Sequence, residues 1–156
     1  MNSSNRPEQE HPILGRVQWN PALDSWESEV TLIPDCRIRF AIVAEDAWAD
    51  EAPDRLFAIG AEYLEWARQA ESACRERIAD DLLDIYNTAW ADDDPEEGPP
   101  PLDRAEFLAH LRPAGISLFH TGSADWVYDP GDLFAGHGIS VYVNEDRAFE
   151  QASLFG

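Results

Sequence analysis

Basic residues are scarce in this sequence. It carries 11 Lys and Arg against 31 Asp and Glu, a formal net charge of -20 over 156 residues. A surface that negative repels a phosphate backbone, so nucleic acid is not an expected partner. Anionic membrane surfaces are disfavoured on the same ground. Cysteine is equally sparse. Cys36 and Cys74 make neither a disulfide framework nor a Cys-x-x-Cys metal or redox motif. They read as buried free thiols, one on a strand and one on a helix. Long apolar runs are missing too. Nothing approaches the roughly 18–20 residues of a membrane span, and "MNSSNRPEQEHP" lacks the apolar core of a signal peptide. A cytoplasmic location is the expectation. The sequence also lacks a G-x-S-x-G elbow, a phosphate-binding glycine loop and an H-E-x-x-H pair. No cofactor and no metal ligand set is expected.

What is present describes one globular domain. The length suits a single core, since a chain of about 150 residues buries roughly 68–70% of its unfolded surface. Hydrophobic residues make up 44% of it. Residues 1–12 read as a disordered tail and 13–156 as one α+β domain. "ILGRVQWN", "WESEVTLI" and "CRIRFAIV" alternate as strands, the last with Ile38, Phe40 and Ile42 opposed to Arg37 and Arg39. From Leu56 to Trp90 the apolar residues fall into steps of three and four, the stripe of a long helix that Asp54 can cap. At 1.5 Å per residue it would span about 50 Å, so a bend or break is expected near residues 72–78.

"ADDDPEEGPPP" then reads as a solvated acidic loop. Asp103 and Glu106 have capping-box spacing ahead of a short helix, "DRAEFLAHL", which Pro113 stops. "ISLFH", "DWVYD" and residues 133–143 read as an antiparallel meander. Asp129-Pro130-Gly131-Asp132 supplies a type II turn. The predicted architecture is a mostly antiparallel sheet, N-terminal strands plus C-terminal meander, packed on the long helix.

The unusual local chemistry lies in "GDLFAGHGISVYV". His137 between two glycines can mark a β-bulge within the last strand, its imidazole bonding backbone groups that the bulge leaves unpaired. Asp132 can bond the backbone of the turn in the same way. The same turn and bulge can instead display Asp129, Asp132, Phe134 and His137 to a partner. Trp48, in the acidic connector, is the expected exposed ring, an apolar anchor for a basic partner. A third arrangement joins His120 and His137 with Asp125, Asp129 and Asp132 as a metal or acid-base site. His11 is placed in the tail, and His110 at a helix end that suits its charge.

"YDPGDLFAGHGISVYV", followed by "ASLFG", resembles the DUF2262 family, bacterial proteins of unknown function. "LLDIYNTAW" and "AEFLAHL" resemble that family's helical middle, and the likeness extends over residues 13–156. Ala135 stands where the family pattern has a bulky aromatic. The resemblance implies no activity and carries no catalytic residues. Three functions remain open. One is an acidic binding protein, in its sharpest form an immunity- or antitoxin-type inhibitor of a basic partner. The second is a small metal-dependent or acid-base enzyme using the C-terminal His and Asp residues. The third is a structural or regulatory protein.

Overall fold

The computed structural model describes residues 6–156. The chain forms eight strands, most of them with period-two alternation of apolar and polar residues: β1 (Gln9–His11), β2 (Gly15–Asn20), β3 (Ser25–Ile33), β4 (Cys36–Val43), β5 (Arg112–Leu118), β6 (Ala124–Asp129), β7 (Gly138–Val143) and β8 (Phe149–Phe155). They form one sheet in chain order, from β1 at one edge to β8 at the other. Every neighbouring pair is antiparallel except β4 and β5, which run parallel. A parallel pair needs a long crossover. Here it holds the helices α1 (Pro53–Ile85) and α2 (Arg104–Ala109). The fold is α+β, as the patterning predicted.

α1 is one unbroken helix of 33 residues, continued by a π-helical turn over Tyr86–Trp90. The expected break near residues 72–78 is absent. A helix of that length is about 50 Å long, and eight strands at about 4.8 Å spacing give a sheet about 34 Å wide. A sheet that wide gives the rod apolar surface along most of its length. The buried face is also broader than the predicted stripe. Phe57, Gly60, Ala61, Leu64 and Ala79 are buried on it, while Ile85 is exposed. Gly60 permits the close approach to β4: a Cβ there would lie 2.5 Å from Ile42 Cδ1 and 3.2 Å from Phe40 Cε1. Asp54 makes no cap. Ala52 is the N-cap residue, and Pro53 opens the helix with its φ already set and no N–H to satisfy.

Several other boundaries differ from the sequence expectation. Residues 1–5 of the predicted tail lie outside the described residues, but Gln9–His11 form an edge strand against β2. His11 there accepts the Ile13 and Leu14 N–H groups at 3.1 and 3.2 Å. Pro113 does not merely stop α2; it lies inside β5, beside a register shift between Pro113 and Gly115 that spares the missing donor. The predicted capping box of α2 is present, with Glu106 N donating to Asp103 Oδ1 at 2.8 Å and Asp103 N to Glu106 Oε1 at 3.1 Å. Cys36 and Cys74 are both buried and free, as expected. Among the described residues no helix is long and apolar enough to cross a membrane.

One polar node ties the layers together. Glu71, on the buried face of α1, accepts Arg75 Nη2 at 2.7 Å and Tyr128 Oη at 2.9 Å. Arg75 also donates to the Leu108 carbonyl at 3.1 Å. The node therefore links α1, β6 and the end of α2. Nearby, Trp126 Nε1 donates to Tyr63 Oη at 3.0 Å. Burial pushes the Tyr63 hydroxyl up to about 12, against the pull of that bond, and pushes the Cys74 thiol up to about 12. Both groups stay neutral and serve packing. Glu71→Ala strands the guanidinium and the phenol and is expected to cost about 3–5 kcal/mol in urea unfolding, whereas Tyr128→Phe costs about 1 kcal/mol.

Candidate functional site

Pro130 and Gly131 close the turn between β6 and β7. Gly131 takes φ +65°, and the Leu133 N–H reaches the Pro130 carbonyl at 3.5 Å, so Gly131 is the second residue of a turn over Pro130–Leu133 and not the third of the predicted type II turn over Asp129–Asp132. Its N–H donates to Asp129 Oδ1 at 2.8 Å, so Asp129 rather than Asp132 braces the turn. The chain does not then enter a strand at residue 133. Residues 131–136 continue as turns, with Ala135 at φ +52° and Gly136 at φ +89°. Leu133 and Phe134 dip into the core on the way. β7 begins only at Gly138. His137 is thus no bulge within a strand. It is the last residue before β7, its backbone N–H and its Nδ1 both within hydrogen-bond distance of the Phe134 carbonyl, at 3.0 and 2.8 Å. Two consecutive left-handed residues cannot propagate a strand, and the imidazole clamps the turn they create.

Phe134 is fully buried and is not displayed to a partner. Its ring meets Tyr86 at 5.7 Å, Trp90 at 5.5 Å and Phe107 at 6.3 Å between centroids. His137, half-buried, stands edge-on to Trp90 at 5.7 Å. Trp90, Tyr86 and Phe107 were not singled out from the sequence, although Tyr86 and Trp90 stand four residues apart on the helical pattern. The acidic loop leaves α1's extension directly after Trp90. Through that ring the start of the loop comes to the end of the sheet that carries Asp129 and Asp132, both exposed. The loop is closed at its base by Asp92 N donating to the Pro99 carbonyl at 2.7 Å, and Tyr86 Oη donates to the Pro100 carbonyl at 2.8 Å.

The remaining predicted site residues lie elsewhere. His120 precedes β6, and its Nε2 is 3.3 Å from Asp46 Oδ2. His137 follows β6. Five residue steps at about 3.3 Å put the two histidines at opposite ends of that strand, about 17 Å apart along it. Asp125 sits near the His120 end and Asp129 near the other. The five residues therefore do not converge. Among the described residues no group of three or more His, Cys, Asp or Glu side chains is placed to hold a metal ion. Trp48 closes a single 3₁₀ turn, Asp46–Trp48, at the His120 end, and its ring is half-buried against the core instead of exposed. It shares no surface with the Asp129–His137 turn.

An α+β sheet covered on one face by a long helix defines the class structurally. The chain belongs to the family DUF2262, described as an uncharacterized protein conserved in bacteria, whose model matches residues 11–154. No curated protein and no solved structure matches the chain. His137→Ala removes the clamp on the Phe134 carbonyl and the contact with Trp90. It is expected to cost about 1–2 kcal/mol in thermal or urea unfolding. A change under about 0.3 kcal/mol would show that the imidazole has no structural part.

Proposed function

We propose that this protein binds a basic protein partner through its carboxylate surface. One observation carries the reading: the scarce positive charge is spent internally. Nine of the 11 basic side chains, Arg16, Arg37, Arg39, Arg55, Arg68, Arg75, Arg77, Arg104 and Arg147, lie within 4.0 Å of a carboxylate oxygen. Those pairs engage 10 of the 31 acids. The rest project a negative field that speeds encounter with a cationic surface. Asp92–Asp94, Glu96 and Glu97 on the loop and Asp129 and Asp132 on the turn are exposed at one end of the sheet. The rigid aromatic cluster of Tyr86, Trp90, Phe107 and Phe134 fixes that end, so docking there orders little new chain.

An immunity- or antitoxin-type inhibitor of a basic toxin is the sharper form of this reading and rests on the same charge. The acid-base alternative loses its support with the separation of His120 from His137.

Immobilised protein exposed to native lysate is expected to retain a basic protein at low salt and release it at high salt. Asp129→Asn with Asp132→Asn reduces the yield if the turn contributes. Recovery of no salt-sensitive partner contradicts the proposal.

A further inference from the structure

The sheet face turned away from α1 holds a cleft of about 510 Å³. It is lined by Arg16 and Gln18 of β2, Glu27 and Glu29 of β3, and Arg37 and Arg39 of β4. Alternation explains the set, since these residues occupy the outward positions of three adjacent strands. The volume falls in the range of small-molecule sites, roughly 300–1,000 Å³. The chain contains no lysine, and three of its 11 arginines meet at this one concavity.

The charges in the cleft are not equally committed. Arg39 is paired with Glu27, which also accepts Asn20 Nδ2 and Ser25 Oγ at 3.2 Å each. Partial burial works against an ionised Glu27, but these bonds, that from Arg39 foremost, hold its carboxyl below the usual range. Arg16 is paired with Glu8, which also accepts Gln18 Nε2 at 3.4 Å. Glu29 faces Arg39 in register, yet Arg39 is taken by Glu27. What remains is Glu29, 78% exposed, and Arg37, 64% exposed, with Arg37 Nε 3.8 Å from the nearer Glu29 oxygen. The hydrogen bond of Arg37 goes instead to the backbone carbonyl of Glu29, at 3.0 Å. A cation and an anion thus stand side by side in a cleft, in ionic contact at 3.8 Å but with no hydrogen bond between the two side chains. A loose exposed pair of this kind contributes little to stability.

We propose that this cleft binds a compact zwitterion bearing a carboxylate or phosphate and an ammonium group, the oxyanion on Arg37 and the ammonium on Glu29. A guanidinium takes either oxyanion through two parallel N–H donors. A simple anion is repelled by Glu29 and by the net charge of -20. A simple cation meets Glu29 but also the adjacent Arg37 guanidinium, which no carboxylate holds by a hydrogen bond. Only a ligand carrying both signs meets a complementary partner at each position. The site is independent of the partner surface proposed above, being built from β2, β3 and β4 rather than the β6–β7 turn.

Isothermal titration calorimetry of the full chain tests this with β-alanine and O-phosphoethanolamine as zwitterions, and propionate, inorganic phosphate and ethylamine as single-charge controls. At least one zwitterion is expected to bind about tenfold or more tighter than every control. The tighter of the two assigns carboxylate or phosphate. Arg37→Gln is expected to weaken that binding about tenfold or more, and Glu29→Gln to bring the zwitterion within about threefold of its anionic control. Both positions are exposed, and unchanged circular dichroism certifies the fold. Absence of zwitterion binding, an equal affinity for a single-charge control, or binding indifferent to Arg37→Gln overturns the proposal.

Discussion

Everything in this molecule depends on α1 lying unbroken across one face of the sheet. A sheet with one covered face must bury its apolar side against something, and here a single helix supplies most of the cover. The cost of keeping 33 residues in one rod is offset by apolar contact along the rod, not by strong caps: its N-cap residue, Ala52, makes no side-chain bond. The Glu71–Arg75–Tyr128 node sits midway along it and satisfies a buried carboxylate with three hydrogen bonds, two from Arg75 and one from Tyr128. That node fixes which residues of α1 face β6. The helix therefore sets the register of the layers as well as their cohesion.

From that placement the functional geometry follows. α1 runs on into Trp90, which seats the Asp129–His137 turn through Phe134 and His137. The helix also covers only the inner face, so the outward positions of β2, β3 and β4 stay open to solvent and carry charge. Two surfaces of different character result. One is an acidic end held by an aromatic cluster. The other is a mixed-charge cleft where arginine and glutamate alternate. Both arise because the arginines are few and are mostly held by acids close in space.

Local features were legible in the sequence, and long-range ones were not. The capping box of Asp103 and Glu106 and the Pro130-Gly131 turn were readable because each depends on a few consecutive residues. β2, β3 and β4 showed in their alternation. β8 did not, because Glu150, Gln151 and Ser153 dilute its apolar residues and a register shift between Val141 and Val143 breaks its pairing with β7. β1 is three polar residues at an edge and carries no apolar signal. The continuity of α1 depended on a sheet width that no local pattern encodes. The burial of Phe134 depended on Tyr86 and Phe107, far off in sequence. His120 and His137 seemed near because the strand between them is short in sequence, but an extended strand separates its ends. The cleft did leave a trace: Arg37 and Arg39 alternate with Ile38 and Phe40, and Glu27 and Glu29 fall on the wet side of the strand before.

α1 is continuous and binds the sheet into one cooperative unit. Native-state amide hydrogen exchange across Ser72–Ile78 tests it most directly. These amides are expected to exchange only through global unfolding, with the same free energy as those of Leu64 in α1 and Trp126 in β6. Exchange of residues 72–78 through a separate, lower-energy opening would contradict it and restore the broken helix that the sequence length alone suggested.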